Sequence, residues 1–156
     1  MSRRLAELYC STNHDDETVI ISISSPNMIY SAAPYISDTN NVKDILELCF
    51  YDADGAGYDV YGRPVTDDDL MTADEAKSIV DFVKKHDDKH IIVHCDAGIS
   101  RSSGVAAAIL RAYTDDDSQI FDNLKYAPNM YAYHKVLAAF GYDYTHGAFI
   151  EGISED

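Results

Sequence analysis

A chain of 156 residues with 46% apolar content is long enough for one domain around a single core, and its composition excludes a charge-dominated disordered segment. Its 27 acidic against 12 basic residues give a formal charge of -15, which argues against a broad nucleic-acid or acidic-membrane surface, because phosphate backbones are held through basic patches. No apolar run approaches the roughly 20 residues of a membrane span. Arg3 and Arg4 have no apolar run behind them, so the first residues do not read as a signal peptide.

Taken in chain order, 19–24 (Val-Ile-Ile-Ser-Ile-Ser) reads as a strand ended by Ser25-Pro26, followed by loop over 27–41. Residues 43–51 alternate well enough for a strand that runs into Asp52-Ala53-Asp54-Gly55-Ala56-Gly57, a glycine-containing loop. A helix is predicted from Thr72 to about Asp87. Thr72 and Glu75 form a capping box at its start, and Ala76, Ile79, Val80 and Val83 share one face. The acidic triplet Asp67-Asp68-Asp69 just before it has a ready explanation, since carboxylates are favourable near a helix N-terminus. His86 and His90 flank a helix-to-strand turn and read as solvated. Residues 90–94 are short and β-branched, the pattern of a strand buried on both faces at the centre of a parallel sheet. An alanine-rich helix over 103–113 and two more over 116–126 and 129–140 follow. In the tail, Tyr142, Tyr144, Phe149 and Ile150 are expected to pack on the core.

The chemistry is concentrated in His94-Cys95-Asp96-Ala97-Gly98-Ile99-Ser100-Arg101-Ser102, between the strand and the alanine-rich helix. Gly98 lets the chain curl, and consecutive backbone N–H groups at a helix N-terminus form a nest for an anion. The same field lowers the pKa of a thiol, so Cys95 is expected to be a nucleophilic thiolate. Arg101 supplies a planar fork that binds two phosphate oxygens at once. Ser102 can donate its hydroxyl to the sulfur, and His94 fits the ordering of the loop through backbone hydrogen bonds. Three cysteines, Cys10, Cys49 and Cys95, are an odd count without metal-ligand spacing and point to a reducing, cytoplasmic setting. Cys49 is a candidate redox partner for Cys95, with a buried core cysteine as the favoured alternative.

The nine residues 94–102 resemble the signature loop of cysteine-dependent protein tyrosine phosphatases, and Ala97-Gly98-Ile99-Ser100-Arg101-Ser102 is most similar to the small dual-specificity branch. Residues 127–137, starting Ala127-Pro128-Asn129, resemble the helix that packs behind the active loop in that branch. The resemblance implies a single α/β catalytic domain over 1–156, with a mixed or mostly parallel sheet flanked by helices. It implies a two-step hydrolysis without metal or cofactor, in which Cys95 forms a phosphocysteine and an aspartic acid protonates the leaving group, then activates water. Asp96, Ala97, Gly98, Ile99, Ser100 and Arg101 would line the phosphate site, and Asn129 would hold the loop in place. Asp52 is the first choice for the acid, because it ends a strand. Asp54 is the second, and Asp67, Asp68 and Asp69 lie nearer the usual spacing of about thirty residues before the cysteine. The expected substrate is a phosphorylated protein or peptide, with phosphotyrosine alone or dual specificity left open. A small-molecule or lipid phosphate and a non-catalytic phosphoprotein-binding module are the alternatives. Asp96 beside the cradle would repel a polyanionic substrate.

Overall fold

The structure, a computed structural model, describes residues 1–26, 40–53, 55–59 and 62–142. Three parallel strands form the main sheet in the order β2-β1-β5: β1 is Thr18–Ser24, β2 is Val42–Cys49 and β5 is His90–His94. Every residue of β1 except Ser24 is buried. Its alternate side chains explain why. Val19, Ile21 and Ile23 point into one core with Leu48, Ile79, Val83, Val105 and Val136, whereas Ile20 points to the other face with Cys10, Val42 and Ile92.

The central strand is therefore β1. The expectation that 90–94 holds the centre is corrected: among the described residues β5 pairs with β1 alone among the strands, and His90 is exposed. Both runs are β-branched, so composition alone does not rank them; the number of fully buried residues does.

Helices cover both faces. On one side α2 (Ala73–Lys85), α3 (Arg101–Thr114) and α5 (Met130–Ala139) pack together and against the sheet. On the other lies α1 (Arg3–Cys10), which sequence reading did not anticipate. Ser2 caps it by accepting from the Leu5 N–H, and it buries Arg3, Ala6 and Cys10 while Leu5 and Leu8 stay exposed. Its 8 residues are fewer than the roughly 10–12 over which periodicity identifies a helix.

The capping box of α2 is present, with Thr72 and Glu75 bonded reciprocally. His86 is not solvated. It closes α2, is buried, and its Nε2 lies 2.8 Å from Asp44 of β2. Between β2 and α2 the chain makes a small antiparallel pair, β3 (Gly57–Tyr58) and β4 (Pro64–Val65), and a 3₁₀ turn over Asp67–Asp69. The helix expected over 116–126 shrinks to α4, Ser118–Phe121. Asp116 and Asn123 take the backbone N–H groups of Ser118 and Lys125 onto their side chains, a local competition that stops helix propagation. Tyr142 donates to the Arg111 carbonyl, whereas Tyr144, Phe149 and Ile150 lie outside the described residues.

The close crossing of α3 and the start of α5 depends on Gly104. A Cβ there would sit 2.5 Å from the carbonyl oxygen and 3.2 Å from the nitrogen of Asn129. Gly104→Ala should cost about 1–3 kcal/mol of stability, the usual range for overpacking. Urea denaturation checks this, and an unchanged midpoint would mean that the two backbones separate without cost.

Candidate active site

In a parallel sheet the carboxyl ends of the strands share one edge, and here three loops meet there. Ser25 follows β1, Phe50 and Asp52 follow β2, and Cys95 follows β5. Cys95 is 2% exposed. The Gly98 N–H points at its Sγ from 3.3 Å, and Ser102 Oγ lies 3.2 Å away, where the hydroxyl donates once the thiol ionises. Burial alone pushes this thiol up. The Ser102 hydroxyl and N–H, the Gly98 N–H and the Arg101 charge outweigh burial and hold its pKa below the ordinary thiol value.

Gly98 has φ 73°, the left-handed region, and a Cβ on it would collide with the backbone of Met1 and Ser2. The segment before α1 thus runs directly against the loop, with the Cys95 N–H donating to the Met1 carbonyl and Ser2 bridged to Cys95. His94 is fully buried, and its Nδ1 donates to the Cys95 carbonyl at 3.4 Å. Burial, reinforced by the nearby Arg3 charge, brings its pKa down to about 4, so the ring is neutral at pH 7. That suits loop ordering rather than proton transfer.

The far half of the loop is held by the start of α5. Ala127 N–H donates to Ile99 O, and Asn129 N–H donates to Ser100 O at 2.9 Å. The Asn129 side chain caps α5 by accepting from Ala132 N–H, while its Nδ2 donates to Asp52 Oδ1 at 2.9 Å and to Ala53 O at 3.2 Å. Ser100 Oγ donates to the same Asp52 oxygen at 2.7 Å. Asp52 is thereby tied to the loop directly through Ser100 and to the start of α5 through Asn129. Asp69 is instead bound to Thr66, whose N–H and hydroxyl both reach its Oδ2, and Asp67 and Asp68 are exposed beside it. Among the described residues no side-chain hydrogen bond joins the triplet to the loop. Asp54 lies outside the described residues.

Arg101 is 6% exposed, with Nη1 donating to Ser25 Oγ and Phe50 O, each at 2.9 Å, and Nη2 donating to Asp96 Oδ2 at 3.2 Å. Sequence reading missed Ser25; its place at the end of β1, level with the other two strand ends, is the signal that could have found it. Asp96 was expected to line the phosphate site. Its carboxylate instead bridges Arg101 and Arg3, while Ala97 and Ile99 form the exposed rim of the loop. Cys49 is exposed rather than a core residue. It pairs with Ser24 of β1, and β5, which leads into Cys95, lies across β1. Two strand spacings are about 10 Å, beyond the roughly 7 Å between Cα atoms that a disulfide tolerates. The proposed Cys49–Cys95 redox pair is therefore withdrawn.

A thiol of lowered pKa, a guanidinium and a nest of N–H groups at the head of α3 make a site for a tetrahedral anion above a nucleophile. Fold and loop together define a phosphatase of the cysteine-dependent tyrosine and dual-specificity superfamily. A family model described as "Tc-R-P: Polymorphic toxin system, DSP-PTPase phosphatase" matches residues 26–114, and the chain belongs to that family. Among solved structures, "Tk-PTP in the active form" is similar at 15% identity and TM-score 0.53, covering 90% of this chain and 86% of that one. "PTPMT1 in complex with PI(5)P" is similar at 14% identity and TM-score 0.53, covering 90% of this chain and 85% of that one. A "human tyrosine phosphatase-like serine/threonine/tyrosine-interacting protein" has 17% identity and TM-score 0.50, covering 90% and 80% respectively. These likenesses show the fold, a central parallel sheet flanked by helices. No curated protein matches the sequence. Among the described residues no helix is long and apolar enough to cross a membrane.

The two buried thiols separate by environment. Burial pushes Cys10 up to about 11, whereas Cys95 is held low. Iodoacetamide at pH 7, followed by peptide mapping, should label Cys95 ahead of Cys10, and Ser102→Ala should move the pH midpoint of Cys95 labelling upward. A native Cys95 that titrates like an ordinary thiol would overturn this reading of the loop.

Proposed function

We propose that residues 1–156 act as one catalytic domain that hydrolyses phosphotyrosine, and phosphoserine or phosphothreonine where the site is shallow enough, on proteins or peptides. The observation that carries this is the hydrogen bond from Ser100, in the loop that holds Cys95, to Asp52, reinforced by Asn129 behind that loop, which supports Asp52 as proton donor to a nucleophile of lowered pKa. Cys95 Sγ attacks phosphorus, the P–O bond to the leaving group breaks, and Asp52 gives that oxygen a proton. Both tethers fall on Oδ1, which leaves Oδ2 to carry it. Water then attacks the phosphocysteine, Asp52 takes the water's proton, and the P–S bond breaks with Ser102 donating to the departing thiolate. Arg101 binds the equatorial oxygens in both steps, and the backbone of 96–101 supplies the remaining donors.

A protein or peptide substrate is favoured by Asp96. A carboxylate in direct contact with Arg101 adds negative charge at the cradle, which a polyphosphorylated lipid headgroup would meet at close range.

The test is hydrolysis of p-nitrophenyl phosphate in the presence of a chelator, by the native protein and by Cys95→Ser. Turnover that survives chelation and vanishes in the mutant is the expected result. Asp52→Asn should lower kcat by roughly 10²–10⁴-fold and flatten the basic limb of its pH profile, the range for loss of a general acid. Full activity in Asp52→Asn would move the acid to Asp54 or to Asp67, Asp68 or Asp69. Phosphotyrosine, phosphothreonine and lipid phosphate substrates compared at equal concentration then fix the class; faster turnover of the lipid would overturn the peptide assignment.

A further inference from the structure

Arg3 lies outside the residues the family model matches, yet it reaches the catalytic loop. It is 7% exposed, and its own N–H donates to the Asp96 carbonyl at 3.2 Å. Its Nε donates to Asp96 Oδ1 at 3.3 Å and its Nη2 to the Ile23 carbonyl at 3.4 Å. Asp96 thus spends one oxygen on Arg3 and the other on Arg101 Nη2.

That division matters because of what it leaves on Arg101. The Nε of Arg101 is buried and has no hydrogen-bond partner among the described residues. The Nε–Nη2 edge of a guanidinium is a fork that fits a carboxylate as readily as a phosphate. Asp96 Oδ2 already lies 3.2 Å from Nη2, and a carboxylate seated on both nitrogens would compete with the substrate's phosphate for them. It occupies only Nη2 while its Oδ1 is engaged by Arg3.

We propose that Arg3 is a positioning residue for phosphate binding: it holds Asp96 by Oδ1 and so keeps that carboxylate from closing on the whole Nε–Nη2 fork of Arg101, leaving Nε for the substrate's phosphate. The inference rests on the reading of residues 95–101 as the phosphate site, and it assigns a function to α1 that the family's matched region does not contain.

Direct binding of inorganic phosphate, measured by calorimetry, tests it independently of turnover. R3Q should weaken phosphate binding about tenfold, equivalent to about 1.4 kcal/mol. It should also raise KM more than it lowers kcat. In the D96N background, where no carboxylate remains to close the fork, the same Arg3 change should alter phosphate binding less than about threefold. Equal effects of R3Q in both backgrounds would reduce Arg3 to a packing residue and overturn the proposal. Should R3Q fail to fold by thermal denaturation, D96N alone decides: phosphate binding as tight as native or tighter is expected, and weaker binding would overturn the proposal. A native protein that hydrolyses p-nitrophenyl phosphate while R3Q binds phosphate normally refutes the role of Arg3 and leaves the phosphatase reading standing. Native protein that binds no phosphate refutes both.

Discussion

Asn129 is the residue on which the geometry of the site depends. Its side-chain carbonyl caps α5, its amide reaches Asp52 and Ala53 on the loop after β2, and its backbone N–H holds Ser100 on the loop after β5. A side-chain amide has both donors and an acceptor, so it holds the loop after β2 and a helix end at once, and the backbone N–H of the same residue adds the second loop. The contact is possible only because α3 carries Gly104 where it crosses, leaving room for the Asn129 backbone. The loop after β2, the loop after β5 and two helices are therefore joined, and the hydrogen bond between Asp52 and Ser100 belongs to that joint.

The loop over 94–102 was legible in the sequence because its chemistry is contiguous: nucleophile, turn glycine, guanidinium and hydroxyl occupy nine successive residues whose mutual geometry is local. The preference for Asp52 rested on a weaker signal. Strand followed by aspartate is a pattern of position, and spacing alone pulled towards Asp67, Asp68 and Asp69; the 3₁₀ turn they form, capped through Thr66 and Asp69, is visible only once the turn is built. What escaped depends on strand order. Ser25 reaches Arg101, and Cys49 stands apart from Cys95, because β1 lies between β2 and β5. No one-dimensional pattern encodes which of two β-branched runs takes the middle place. α1 escaped because it is short: it rests on Cys10 and Tyr9 in the cluster around Ile20 and on Arg3 against Asp96, and 8 residues are fewer than the roughly 10–12 over which a pattern separates helix from other structure.

The contrast between an acidic chain and a site built for a dianion resolves by distance. At physiological salt, screening over about 8 Å removes most of the field of remote exposed carboxylates. A net charge of -15 therefore says little about one phosphate bound within the loop. The groups in contact decide, and these are Arg101, the N–H groups of the loop, the dipole of α3 and one carboxylate, Asp96. Of these, only Asp96 opposes the ligand. Two arginines from different elements, each under 10% exposed, divide its two oxygens between them. A half-buried carboxylate between two buried guanidinium groups is costly to desolvate unless all three are fixed by further hydrogen bonds. Arg3 has the Ile23 carbonyl, and Arg101 has Ser25 and Phe50. Those anchors come from the ends of β1 and β2, so the sheet edge that assembles the site also sets the orientation of its guanidinium.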